Sequence, residues 1–207
     1  MIDFFKNLLS KFFYKIINSE AYAQLKPVSE SRNFELKLKS LGQNSSLPND
    51  CIIKNPHCIS IGNGFASMYN LRIEAWDMYR GQKFSPEIII GNNVIFNTDV
   101  HIGCINKIII GNDVLLASRI YIADHSHGKV IKEELSTPPT ERELFSKGPV
   151  VIEDRVWIGE GVCVLAGVTI GKGSIIGANA VVTRSIPPNS VAAGIPAKVI
   201  KQLDADF

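Results

Sequence analysis

Two histidines stand two positions apart in the stretch ADHSHGKV, residues 123–130. An imidazole titrates near neutral pH, so a positioned histidine can take the proton of a weak nucleophile, such as a hydroxyl, as it attacks a carbonyl. His125 and His127 are therefore the first candidates for a general base. On residue type alone, two loop histidines are more often solvated surface side chains. His101 opens a different possibility, three histidines converging on one zinc ion in a metal lyase. Asp124 adjoins His125, but a sequence neighbour is awkwardly placed to orient a ring, and a backbone carbonyl would serve as well. The four cysteines, Cys51, Cys58, Cys104 and Cys163, show neither CxxC pairing nor metal-ligand spacing. They read as reduced thiols in a cytosolic protein.

The elements that must carry these residues are written in a short repeat. In sixes from Ile90, the chain runs IGNNVI, FNTDVH, IGCINK, then two extra residues, Ile108 and Ile109. From Ile110 it runs IGNDVL, LASRIY, IADHSH, and after a break, from Ile152, IEDRVW, IGEGVC, VLAGVT, IGKGSI, IGANAV, VTRSIP. The first place is apolar in all twelve hexads, the second is often Gly or Ala, and the fifth is mostly small or β-branched. A period of six does not match a helix, and its glycines would each cost a helix about 1 kcal/mol. Short strands joined by tight turns do match. The first residue points inward, and Gly, Asn and Asp supply the turn conformations. Three hexads make one triangular coil, and coils stack at about the 4.8 Å of strand pairing. The predicted fold is all-β, a parallel β-helix of hexapeptide repeats.

Around this stack, the chain divides into residues 1–50, 51–201 and 202–207. Residues 51–90 carry degenerate repeats and read as irregular first coils that cap the open end. Residues 19–50 read as a polar connector. Phe5, Leu9, Phe12, Phe13 and Ile16 fall at helical spacing among lysines, which predicts an amphipathic helix over residues 1–18. It packs on the body of the protein, on a neighbouring subunit, or weakly on a membrane surface. It is too short and too charged to span a bilayer, and no secretory signal is evident. Pro187, Pro188 and Pro196 are expected to end ladder pairing, before a short final element that carries Lys198 and Lys201. Residues 128–148 mix charges and prolines that cannot continue an apolar core. They are expected to bulge out as a loop beside the histidines and shape a site. A formal net charge of +2 on 207 residues gives no reason to expect a nucleic acid partner.

The segment GPVVIEDRVWIGEGVCVLAGVTIGKGSIIGANAVVTRSIPPNSVAAGIPAKVI resembles the hexapeptide-repeat acetyltransferases. That family includes the galactoside and maltose O-acetyltransferases and the enzymes that acetylate bacterial surface polysaccharides. The segment LRIEAWD, the DHSHG loop and an unmatched N-terminal stretch make the chain more similar to the polysaccharide branch. The resemblance implies a left-handed coil, acetyl-CoA as co-substrate with no metal, and a cytoplasmic homotrimer with its active sites between subunits. It places the catalytic histidine sixth in its hexad. Counted without gaps from Ile110, that residue is His127, with Ser126 in the small inward place; His125 is the alternative base. It puts Asn97 across the subunit boundary from the histidine and Trp157 near the acyl-transfer site. Gly159 and Ala178 would line the pantetheine groove. Thr183 and Arg184 would lie near the adenine, and Lys198 and Lys201 near the phosphates. Glu160 stands in the same groove where relatives often have a small polar residue, Ala166 stands for a frequent Pro, and the two lysines stand for frequent arginines.

The expected activity is transfer of acetyl from acetyl-CoA to a sugar hydroxyl. N-acetylation of an amino sugar carried by a nucleotide would use the same base and groove. A carbonic-anhydrase-like metal enzyme on the same coil would need His101, His125 and His127 to converge, though register sets His101 and His127 on different faces. A scaffold without catalysis is the remaining alternative.

Overall fold

The computed structural model describes residues 37–203. The amphipathic helix expected over residues 1–18, and residues 204–207 of the tail, lie outside them.

The chain winds as a left-handed parallel β-helix whose coil passes three faces in a fixed order. Face A stacks strands from Ser40–Leu41 through Glu87–Ile90, Lys107–Ile110 and Val150–Ile152 to Thr169–Ile170. Face B runs from Ala66–Ser67 through Ile95–Phe96, Leu115–Leu116 and Trp157–Ile158 to Ile175–Ile176 and Ser190–Ala193. Face C runs from Ile52–Lys54 through Arg72–Ala75, His101–Cys104 and Tyr121–Ala123 to Cys163–Val164 and Val181–Val182. All of these pairings are parallel, and the hexads stay in register, as in Ile90 over Ile110 over Ile152 over Ile170.

The inward column is what the six-residue period encodes. Each first-place residue from Ile90 to Val182 is at most 2% exposed. Burying side chains of this size contributes about 1.5–3 kcal/mol each. The A–B corner is held by a second ladder. The backbone N–H of Asn63 donates to Asn92 Oδ1 at 2.8 Å, that of Asn92 to Asn112 Oδ1 at 2.9 Å, and that of Asn112 to Asp154 Oδ1 at 2.7 Å. This stacking brings neighbouring coils so close that a Cβ on Gly91 would lie 2.7 Å from the Gly111 carbonyl carbon.

Several expectations change. Among the described residues the stack begins at Ser40–Leu41, paired with Ser60 and Ile61, so the polar stretch before residue 51 is not all connector. Leu47 there is 2% exposed and belongs to the core. Ile108 and Ile109 are not surplus, because Ile108 is a fully buried member of the Lys107–Ile110 strand. The extra length is taken at the C–A corner, where inward alternation continues past Ile102 to the buried Cys104. Pro187 and Pro188 do not end the ladder. They turn a corner, and Ser190–Ala193 pairs in parallel with Ile175–Ile176. The final strand, Lys198–Gln202, then reverses to run antiparallel along Ser190–Ala193.

Gly111→Ala tests the corner. Its Cβ would meet Asp154 Oδ1 at 2.5 Å and Asp154 N at 2.8 Å. The expected cost is about 1–3 kcal/mol of stability in denaturant unfolding, as for an overpacked core.

Candidate active site

The C–A corner is where the coil opens. Inward alternation continues past Ile122 to Asp124, as it does past Ile102 to Cys104, and Asp124 has no exposed surface. Its carboxylate is surrounded by donors. Oδ1 accepts the backbone N–H of Ile105 at 2.9 Å, and Oδ2 that of Asn106 at 2.8 Å. Cys104 Sγ lies 3.2 Å from Oδ2. His125 Nδ1 completes the set at 3.0 Å from Oδ1. With the carboxylate accepting there, Nδ1 carries the proton and Nε2 is left as the basic nitrogen. The partner of the histidine is thus its sequence neighbour, which the residue pattern did not single out. Burial and the adjoining carboxylate push the Cys104 thiol far above its usual range, so it is a neutral thiol.

His127 lies just beyond. Ser126–His127 pairs antiparallel with Leu144–Phe145 at the root of the excursion that interrupts the repeats. That excursion follows the expected bulge, with short 3-10 turns at Lys132–Glu134 and Pro139–Glu141. Ser126 is not in the inward place. It is exposed, and its hydroxyl donates to Gly128 O at 2.9 Å. His127 is exposed and meets Tyr79 edge-on, with ring centroids 5.5 Å apart. Among the described residues, its ring nitrogens have no hydrogen-bond partner. Tyr79 arrives on a second excursion, the hairpin of Met78–Tyr79 and Gln82–Lys83. No repeat pattern marked it.

His101 sits on face C. Its Nε2 lies 3.2 Å from Glu74 Oε2, which also takes Arg72 Nε at 2.8 Å. Burial lowers its pKa despite the pull of Glu74, and Arg72 lowers it further. No group of three metal-capable side chains occurs among the described residues.

The other residues that the resemblance singles out divide between two edges. Asn97, Gly159 and Ala178 line the B–C corner. There Asn97 N donates to Leu116 O, and Gly159 N to Ile176 O. A Cβ on Gly159 would lie 2.8 Å from Ala178 N, so backbone forms this edge. Trp157 lies half-buried on face B beside it, and Lys198 and Lys201 stand exposed on the last strand of that face. Glu160 is ion-paired with Arg119. Thr183 and Arg184, however, follow Val181–Val182 at the C–A corner, on the histidine side. One chain therefore does not bring Asn97 and Gly159 together with His125 and His127.

Among known proteins, the family described as bacterial transferase hexapeptide (six repeats) matches residues 149–184. A candidate lipopolysaccharide biosynthesis O-acetyl transferase, WbbJ of Escherichia coli K12, is 43% identical over 155 residues, covering 73% of this chain and 76% of its own length. The galactoside O-acetyltransferase of the same organism is 36% identical over 126 residues, covering 58% of this chain and 57% of its own. The solved maltose O-acetyltransferase of Clostridium difficile 630 superposes with a TM-score of 0.52 at 29% identity, covering 81% of this chain and 71% of its own.

Two measurements probe Asp124 and His101. Asp124→Asn turns a donor towards one of the backbone N–H groups and should cost about 1–3 kcal/mol, read as a lower Tm. For His101, the lowered pKa means that the unfolded chain takes up the proton first. Stability on its account is present above its ordinary value of 6.5 and is lost as pH falls below it. His101→Gln should therefore lose less Tm than the wild type between about pH 7.5 and 5.5; an equal loss would contradict the assignment.

Proposed function

The chain belongs to the hexapeptide-repeat acetyltransferases, and from that premise we propose that it moves an acetyl group from acetyl-CoA to a sugar hydroxyl, with His127 as general base. The observation that carries this reading is an exposed imidazole, without a hydrogen-bond partner among the described residues, standing where the coil opens. The names of the relatives, candidate lipopolysaccharide, galactoside and maltose O-acetyltransferases, support a saccharide of a surface polymer or its precursor as the acceptor.

The sugar hydroxyl donates its proton to a ring nitrogen of His127 as its oxygen attacks the thioester carbonyl. Backbone N–H groups of an adjacent coil would hold the tetrahedral oxyanion. Collapse breaks the carbon–sulfur bond. The departing thiolate takes the proton from the His127 imidazolium, which returns the base to its starting state. The pantetheine arm would lie along the B–C edge, where Gly159 and Ala178 leave backbone uncovered, past Trp157 and Glu160. Lys198 and Lys201 would meet phosphates as point charges. Asn97 would face the histidine from a second copy, with Thr183 and Arg184 on the histidine side of the same groove. The division of these residues between two edges supports a homotrimer with one groove at each subunit boundary. Acetyl-CoA as donor puts the reaction in the cytoplasm.

One observation favours a second assignment of the base. His125, held at Nδ1 by Asp124, has the orienting partner that an activated imidazole requires. Thiol release from acetyl-CoA, measured with a panel of sugar acceptors, separates the two. His127→Ala is expected to lose about a hundredfold or more in turnover, while His125→Ala loses clearly less. The reverse order would transfer the role to His125, and full activity in both variants would remove the imidazole mechanism.

A further inference from the structure

The two excursions leave the same C–A corner, one coil on either side of the tight Ile105–Asn106 turn, and they meet. Tyr79 Oη donates to Thr140 O at 2.9 Å. Gln82 Nε2 donates to Leu144 O at 3.2 Å, and Leu144 N donates back to Gln82 Oε1 at 3.0 Å. Between them lies a cleft of about 460 Å³ lined by Tyr79, Arg80, Gln82, Glu141, Arg142 and Glu143. Its size falls within the range of small-molecule sites. Tyr79 is a shared wall, because its ring also meets His127.

We propose that this cleft is an acceptor subsite, binding a neutral saccharide unit adjacent to the one that receives the acetyl group. The proposal rests on the transferase reading and deepens it. Two guanidinium groups and two carboxylates give the cleft no net charge. A phosphate or uronate would meet Glu141 and Glu143, and a cationic sugar would meet Arg80 and Arg142. A row of hydroxyls can use donors and acceptors together. The side chains of Arg80, Glu141 and Glu143 make no hydrogen bond or ion pair among the described residues, so their capacity is open to a ligand. Among the described residues Arg142 uses only Nε, which donates to Thr137 O at 2.8 Å. Arg80 also occupies the left-handed region at φ 48, beside Gly81 at φ 86, in a two-residue hairpin turn where Asn or Gly is the ordinary choice. The turn thus places an arginine in the cleft lining despite an unfavourable backbone conformation.

Titration calorimetry would compare methyl β-galactoside and methyl β-glucoside with neutral trisaccharides of the same sugars, using the full chain. The wild type is expected to bind a trisaccharide about tenfold more tightly than its monosaccharide, a difference of about 1.4 kcal/mol. Arg80→Gly, whose new residue accepts the positive φ, and Glu143→Gln should each remove most of that advantage. An advantage absent from the wild type, or intact in both variants, would overturn the proposal. Acetyl-CoA turnover in the same samples reports on the transferase reading separately. Retained saccharide discrimination without turnover would count against that reading alone.

Discussion

The carboxylate of Asp124 is closed off from solvent and surrounded by the N–H groups of Ile105 and Asn106, the Cys104 thiol and the His125 ring. A buried carboxylate is tolerable only when its oxygens are satisfied in this way. Those bonds fix the turn of one coil to the last residue of the next. They also set the point from which the chain departs, because the excursion begins directly after Asp124. The direction of His125 and the root strand that carries His127 both follow from this attachment. Remove the carboxylate and two backbone N–H groups lose their acceptor inside the corner, with the histidine loop tied to the same defect.

The core was legible in the sequence because a single physical rule produces it. An inward first place every six residues predicts Phe96, Ile102 and Ile158 as core equally well, and each is fully buried. The same rule misleads at the corner. It counts IADHSH as a sixth ordinary hexad and puts Ser126 inside, whereas the strand keeps its alternation for two more residues and puts Asp124 inside. Alternation within a strand and periodicity of the coil differ in phase at that point, and only the backbone register decides between them. Ser40–Leu41 was hidden for a related reason. Among the described residues that coil pairs on one side only, and its residues are half-polar and carry no hexad signal. Tyr79 could not have been found by spacing, since its partners, His127 and Thr140, lie far along the chain on another excursion.

The division of site residues between two corners has a geometric cause. Each corner recurs at one place in every coil, so a column of residues along the stack always belongs to one edge. Asn97 and Gly159 share the B–C edge, while Asp124 and Thr183 share the C–A edge, with the whole width of face C between them. No rotamer change bridges that width. In the proposed reaction, the thioester would have to reach both edges, which two copies packed corner to corner would offer.

Repeats and interruptions then carry different kinds of information. A coil corner must accept the coil above and below it at backbone distance, which favours small residues such as Gly159 and Ala178 where the backbones meet. Such an edge suits a long, uniform ligand arm and has little capacity to distinguish one sugar from another. The two excursions escape the stacking constraint. They hold Arg80, Gln82, Glu141 and Glu143 away from the stacked coils, and they are anchored to each other as well as to the repeat. Selectivity for an acceptor can therefore change by altering the hairpin and the loop, while the stacked coils, and any donor arm lying along them, keep their geometry.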